Sequence, residues 1–114
     1  MAYSTNQLKK IIRNYIHVLD QEIPIEKVIL FGSYAWGKPK PYSDIDLAIF
    51  SKKFEDKDEI KNMQFLFKKA CQIDTAIEPL PFHPKDLKNP DKRTLLYQIV
   101  TKGKVIPQSK GVFK

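Results

Sequence analysis

Three groups of residues in this chain have the types and spacing for chemistry at phosphorus: Gly32-Ser33, then after ten residues Asp44-Ile45-Asp46, and further on the acids Asp74 and Glu78. A Gly-Ser turn at the end of a strand lets backbone N–H groups and a hydroxyl approach a phosphate, because glycine has no side chain in the way. Two carboxylates at i and i+2 on one strand face lie about 6–7 Å apart. They can straddle metal ions held about 3.5–4 Å apart, the spacing that serves in-line phosphoryl displacement. Ligands that are all oxygen suit Mg2+ or Mn2+, here two ions.

Singly, a Gly-Ser is a common turn and an Asp-x-Asp is often a solvated strand edge. Together they say more. The Gly-Ser follows an apolar run, Lys27 to Phe31, and the acids sit on a segment whose other face is apolar. Two acids facing one way repel each other unless a cation lies between them. A third carboxylate should complete the set, as metal ligand or as acceptor of a proton from an attacking hydroxyl. Asp74 and Glu78 share one face of the next expected strand. Asp74 is the choice over Glu78, since an Asp near the start of a strand flanking Asp44 and Asp46 can reach between them.

The elements that must position these groups follow from periodicity. Leu8, Ile11, Ile12, Tyr15, Ile16 and Leu19 recur at helical spacing and predict a helix over 4–22, with Ser4 and Gln7 as its capping box and Pro24 beyond its end. Residues 27–31 predict a buried strand ending at Gly32. Residues 44–50 predict a second strand, with Asp44, Asp46 and Ala48 on one face and Ile45, Leu47 and Ile49 on the other. A helix is expected over 56–71, its apolar face made of Ile60, Met63, Leu66, Phe67 and Ala70. A third strand is expected over 72–79, then an irregular extended stretch imposed by Pro79, Pro81 and Pro84. A last helix is expected over 90–102, with Asn89 as N-cap, Leu95, Leu96, Ile99 and Val100 inward and Gly103 as stop, followed by a short strand at 104–106. The class is α/β in the broad sense, more closely α+β: a small mixed β-sheet backed by helices, one domain over 1–114 with its core at about 26–106.

With 114 residues and 42% hydrophobic content the chain has room for one modest core and none for a separate substrate domain. A partner chain or the substrate itself must form the far wall of the site. The net charge is +7, from 20 Lys and Arg against 13 Asp and Glu, which favours anionic partners such as nucleotides, nucleic acid or an acidic protein. Cys71 is the only cysteine, and His17 and His83 lie far apart, so no intrachain disulfide can form and a thiol-histidine zinc site is not expected. No apolar run approaches the roughly 18 residues that span a bilayer, and the expected address is the cytoplasm.

The run Gly32-Ser33-Tyr34-Ala35-Trp36-Gly37, followed by Ser43-Asp44-Ile45-Asp46-Leu47-Ala48-Ile49, closely resembles the signature of the polymerase-beta-like nucleotidyltransferases. The length resembles the minimal members of that superfamily. The resemblance implies the polymerase-beta-like fold and transfer of a nucleoside monophosphate, AMP from ATP, to a hydroxyl. It implies a nucleotide site at Gly32, Ser33, Ser43 and Lys38, and catalytic metal ligands at Asp44, Asp46 and Asp74, with Ile73-Asp74 resembling the family's third-acid strand. It also implies a toxin–antitoxin setting, in which the chain modifies a small helical HEPN-type partner. Many relatives carry Arg where this chain has Trp36; Lys38 or Lys40 could supply the missing cation, and the Trp36 ring could stack on a base or anchor its loop. Two other outcomes stay open: a non-catalytic module of the same fold that acts by contact, and transfer to a small molecule or RNA, which the short chain disfavours.

Overall fold

The computed structural model describes residues 3–37, 39–41, 43–55 and 58–107. Helix α1 runs Thr5–Asp20, and its start is fixed as expected: the Ser4 hydroxyl accepts from Gln7 N–H while the Gln7 side chain accepts from Ser4 N–H. Strand β1 is Lys27–Phe31, a single-turn helix α2 is Ser33–Trp36, and strand β2 is Ile45–Phe50. A 3-10 turn at Lys52–Glu55 leads to helix α3, Glu59–Ile73, capped by the Asp58 side chain. Strand β3 is Ile77–Phe82, followed by a second 3-10 turn at Pro84–Leu87, helix α4 at Leu95–Lys102 and a two-residue strand β4 at Lys104–Val105.

The sheet order is β3-β2-β1-β4. β1 pairs antiparallel with β2 and β4, and β2 pairs parallel with β3, so the sheet is mixed as expected. One face carries Val28, Leu30, Ile45, Leu47, Ile49 and Ile77, buried beneath α1 and α3. Tyr15 ties those two helices together, its buried hydroxyl donating to the Leu66 carbonyl at 2.8 Å. Among the described residues, the opposite face is covered over only part of its length. There Ile29, Phe31, Ala48 and Phe50 pack with Ile99, Leu96, Leu80, Phe82 and Leu87. The two faces differ because α1 and α3 offer two apolar stripes and α4, eight residues long, offers one. Among the described residues no helix is long and apolar enough to cross a membrane.

Several boundaries differ from the expectation. The third strand lies at Ile77–Phe82 rather than 72–79, because α3 continues to Ile73 and Asp74 caps its C-terminus. Pro79 and Pro81 do not interrupt the strand. Ile45 N–H donates to Ala76 O and Ser51 N–H to Phe82 O, so the even-numbered residues of β3 bond to β2. The prolines therefore turn their missing N–H toward the free edge, where they also deny a donor to any added strand. Asn89 does not cap the last helix; Thr94 does, its hydroxyl accepting from Tyr97 N–H. Asp91 first captures the Arg93 N–H with its side chain and the Thr94 N–H with its carbonyl, and that turn delays the helix. On α3, Leu66 and Ala70 are buried, whereas Ile60, Met63 and Phe67 are exposed, and Leu95 of α4 is half exposed. Gly103 ends α4 as expected, and it must be small: a Cβ there would overlap Ile29 Cγ2 and the Ile99 carbonyl.

Candidate functional site

The less covered sheet face ends in carboxylates. Asp46 lies on β2 two residues before Ala48, on the face of the second apolar cluster. The parallel register pairs Asp46 with Glu78, Ala48 with Leu80 and Phe50 with Phe82. Paired strand residues have Cα atoms about 4.8 Å apart and side chains on the same side. Glu78 therefore stands beside Asp46. Asp44 precedes β2 by one residue and is exposed, while Asp46 is half-buried and Glu78 exposed.

The electrostatics agree with this grouping. Burial, then the charge of Asp44, then that of Glu78, push the Asp46 carboxyl up to about 6. Among the described residues no three His, Cys, Asp or Glu side chains already converge into a cage for a metal.

Gly32 closes the site from β1. The antiparallel register pairs Phe31 with Asp46, so Gly32, one residue on, meets the Asp46 carboxylate as the chain turns into α2. Gly32 has φ +76° and ψ −158°, a backbone state essentially confined to glycine. Ser33 then begins α2 and is half-buried; Ala35 and Trp36 N–H donate back to the Gly32 carbonyl at 3.0 and 3.1 Å. The Trp36 ring centroid lies 6.2 Å from that of Phe31, and 44% of the residue remains exposed. Ser43 locks the loop before Asp44: its hydroxyl accepts from Lys40 N–H at 2.7 Å, and its own N–H donates to Lys40 O. Lys38, expected near the nucleotide, lies outside the described residues.

Asp74 lies outside β3, at the C-terminal cap of α3. It sits three residues before β3, and its carboxylate accepts from the Tyr3 hydroxyl at 2.5 Å and from Ala76 N–H at 2.8 Å. The bond to Asp74 is the main reason the Tyr3 phenol is shifted upward. Glu78 alternates with Ile77 and Pro79 along β3, on a strand face as expected, and shares that face with Leu80 and Phe82. His83 caps the second 3-10 turn, its Nδ1 accepting from Lys85 N–H, and His17 pairs with Gln21 on the exposed side of α1. A cavity of about 740 Å³, lined by Phe54, Met63, Leu80, Phe82 and Leu96 among others, opens toward the other end of β3 from Glu78.

The sequence profile described as Polymerase beta, Nucleotidyltransferase matches residues 7–110. Among solved structures, a Sulfolobus solfataricus protein provisionally described as a nucleotidyltransferase is similar in fold, with TM-score 0.67, 16% identity, and coverage of 90% of this chain and 82% of the other. A toxin-antitoxin structure with AMP-PNP is similar with TM-score 0.57 and 27% identity over 89% of this chain and 77% of the other. A variant of the toxin-antitoxin MntA-HpeT matches with TM-score 0.54 and 26% identity over 88% of this chain and 74% of the other. None of the curated proteins compared matches this sequence.

Proposed function

This chain belongs to the polymerase beta nucleotidyltransferase family, and from that premise we propose that it transfers AMP from ATP to a hydroxyl on a partner protein, using Asp44, Asp46 and Glu78. It is a minimal nucleotidyltransferase, one mixed sheet with its helices. The observation that carries the reading is the pairing of Asp46 with Glu78 across β2 and β3, with Gly32 backbone against Asp46.

The carboxylates fit divalent cations, Mg2+ or Mn2+, by donor chemistry and by the upward shift of Asp46, which a cation would reverse. Two such ions, held by Asp44 and Asp46, would neutralise phosphate charge and make the acceptor hydroxyl more acidic. The chain's own residues supply the rest. Gly32 leaves room for the Asp46 carboxylate at the turn, and the Ser33 hydroxyl and backbone donate to the triphosphate. Ser43 holds the loop that delivers Asp44. Glu78, exposed beside Asp46, takes the proton from the acceptor hydroxyl as its oxygen bonds to the α-phosphorus and the bond to pyrophosphate breaks. Glu78 thus replaces Asp74 in our assignment.

The partner reading is supported by the toxin-antitoxin structures at 26% and 27% identity, one of them with AMP-PNP. A small helical HEPN-type toxin in the cytoplasm is the partner we propose, with this chain as its antitoxin. Calorimetry tests the core of the reading. ATP should bind in the presence of Mg2+, and Asp44→Asn with Asp46→Asn should abolish the metal-dependent part. Unchanged metal-dependent affinity in that double variant refutes the carboxylate site.

A further inference from the structure

Tyr3 is bonded at both ends to segments that carry the site. Its N–H donates to the Tyr34 hydroxyl at 3.1 Å, and its own hydroxyl donates to Asp74 Oδ2 at 2.5 Å. The two rings lie 6.5 Å apart and pack against the main core. Tyr34 directly follows Ser33 in α2. Asp74 organises the turn into β3: Oδ1 accepts from Ala76 N–H, and its carbonyl accepts from Ile77 N–H at 3.2 Å. The Ala76 carbonyl in turn accepts from Ile45 N–H at 2.8 Å. Ile45 precedes Asp46, and Ala76 stands two residues before Glu78.

One line of bonds, Tyr34 to Tyr3 to Asp74 to Ala76 to Ile45, therefore joins the Gly32-Ser33 turn to both acid strands. We propose that Tyr3, Tyr34 and Asp74 form a positioning strap that sets the distance between the triphosphate turn and the Asp46–Glu78 pair, without touching metal or substrate. This rests on the reading of the acid face as the transfer site. Both Asp74 carboxylate oxygens already accept hydrogen bonds from the protein. The charges that act on Asp46 are those of Asp44 and Glu78.

A positioning carboxylate and a metal ligand respond differently to amidation. Asparagine at position 74 keeps an oxygen for Ala76 N–H and an NH2 that can donate to the Tyr3 hydroxyl, whereas alanine keeps neither. Asp74→Asn should retain transfer within about threefold, with an unchanged Mg2+ midpoint, while Asp74→Ala loses about tenfold or more in kcat, the equivalent of one or two net hydrogen bonds. Tyr34→Phe, which frees the turn, should raise KM for ATP more than it lowers kcat. Asp74→Asn as inactive as Asp74→Ala, or shifted in its Mg2+ midpoint, overturns the proposal.

Hydrogen exchange of the unliganded protein gives a readout independent of catalysis. Tyr3→Phe removes one hydroxyl from a half-buried ring and should fold. It should speed exchange in both 33–37 and 74–78. A change confined to the first turn of α1 overturns the strap and leaves the acid site intact. Exchange coupled as proposed in a wild-type protein that transfers nothing supports the mechanical link and sinks the transfer reading instead.

Discussion

Gly32 and Asp46 meet so closely that a Cβ on Gly32 would fall 3.0 Å from Asp46 Cγ and overlap Oδ2. The contact arises where β1 ends against the start of β2, one residue past the Phe31–Asp46 pair. The φ of +76° at Gly32 would be strained for any other residue even with space beside it. Backbone conformation and side-chain room thus make the same demand at one position.

Gly32→Ala should therefore fail twice. Strain and displacement of the carboxylate should together cost about 2–4 kcal/mol of stability, read by urea or thermal unfolding. Metal-dependent ATP binding should weaken about tenfold or more in whatever fraction stays folded, since Asp46 can no longer hold its place. An alanine variant with wild-type stability contradicts the tight Gly32–Asp46 contact.

The shift of Asp46 makes the metal-free protein sensitive to pH. Its folded pKa is about 6 against 3.8 for the free group. Between those values the folded protein keeps a proton that the unfolded chain has released, so stability falls as pH rises through the window. Asp46 is only partly buried, so solvent screening reduces the effect to about 1–2 kcal/mol. Asp46→Asn should raise the melting temperature at pH 7.5 and flatten its dependence between pH 4 and 6.5. In the wild type, Mg2+ binding near pH 6 should release protons, seen as a binding heat that changes with the buffer's ionisation enthalpy. A buffer-independent heat argues against Asp46 as a ligand.

The parts of this site legible in the sequence are those whose signals are local. β1 and β2 show as short apolar runs, and the Gly-Ser turn and Asp-Ile-Asp spacing need no distant partner to be recognised. β3 was not legible because Pro79 and Pro81 break a strand only if they face a neighbour, and which edge they face is decided by the parallel pairing with β2. The expected strand over 72–79 also put Asp74 on a strand face, where the structure does not have it. Nothing in Cys71-Gln72-Ile73 stops a helix, and Ile73 packs into the core, so α3 runs on and takes Asp74 out of the strand. The Tyr3 bonds bridge residues 31 and 71 positions apart and leave no periodic trace. Ile60, Met63 and Phe67 are exposed because α3 buries a narrower stripe, Leu66 and Ala70, than its composition offers.

Glu78 separates chemistry from binding. Glu78→Gln keeps size and removes the charge that would accept the acceptor's proton. We expect kcat to fall by about 10²–10³, the range for loss of a general base, while metal-dependent ATP affinity stays within about threefold, Asp44 and Asp46 being unchanged. The same substitution removes one of the two like charges acting on Asp46, so the Asp46 titration should move down, as followed by carboxyl carbon NMR. Full transfer activity in Glu78→Gln returns the third-acid role to another residue.

The last expectation concerns the acceptor, on which enzyme and contact module part ways. The acid face is only partly covered by α4, which leaves room for an acceptor to pack against it. A helical protein encoded beside this chain, incubated with it, ATP and Mg2+, should gain the mass of one or more AMP units on a hydroxyl-bearing residue. The gain should vanish with Asp44→Asn and Asp46→Asn together and fall sharply with Glu78→Gln, while the complex itself persists, because removal of metal ligands does not remove the protein–protein contact. Mass spectrometry showing a tight complex with no added mass, whatever nucleotide is supplied, would leave the fold acting by contact alone. Label transferred to RNA in place of the protein would assign the +7 charge of the chain to a nucleic-acid acceptor.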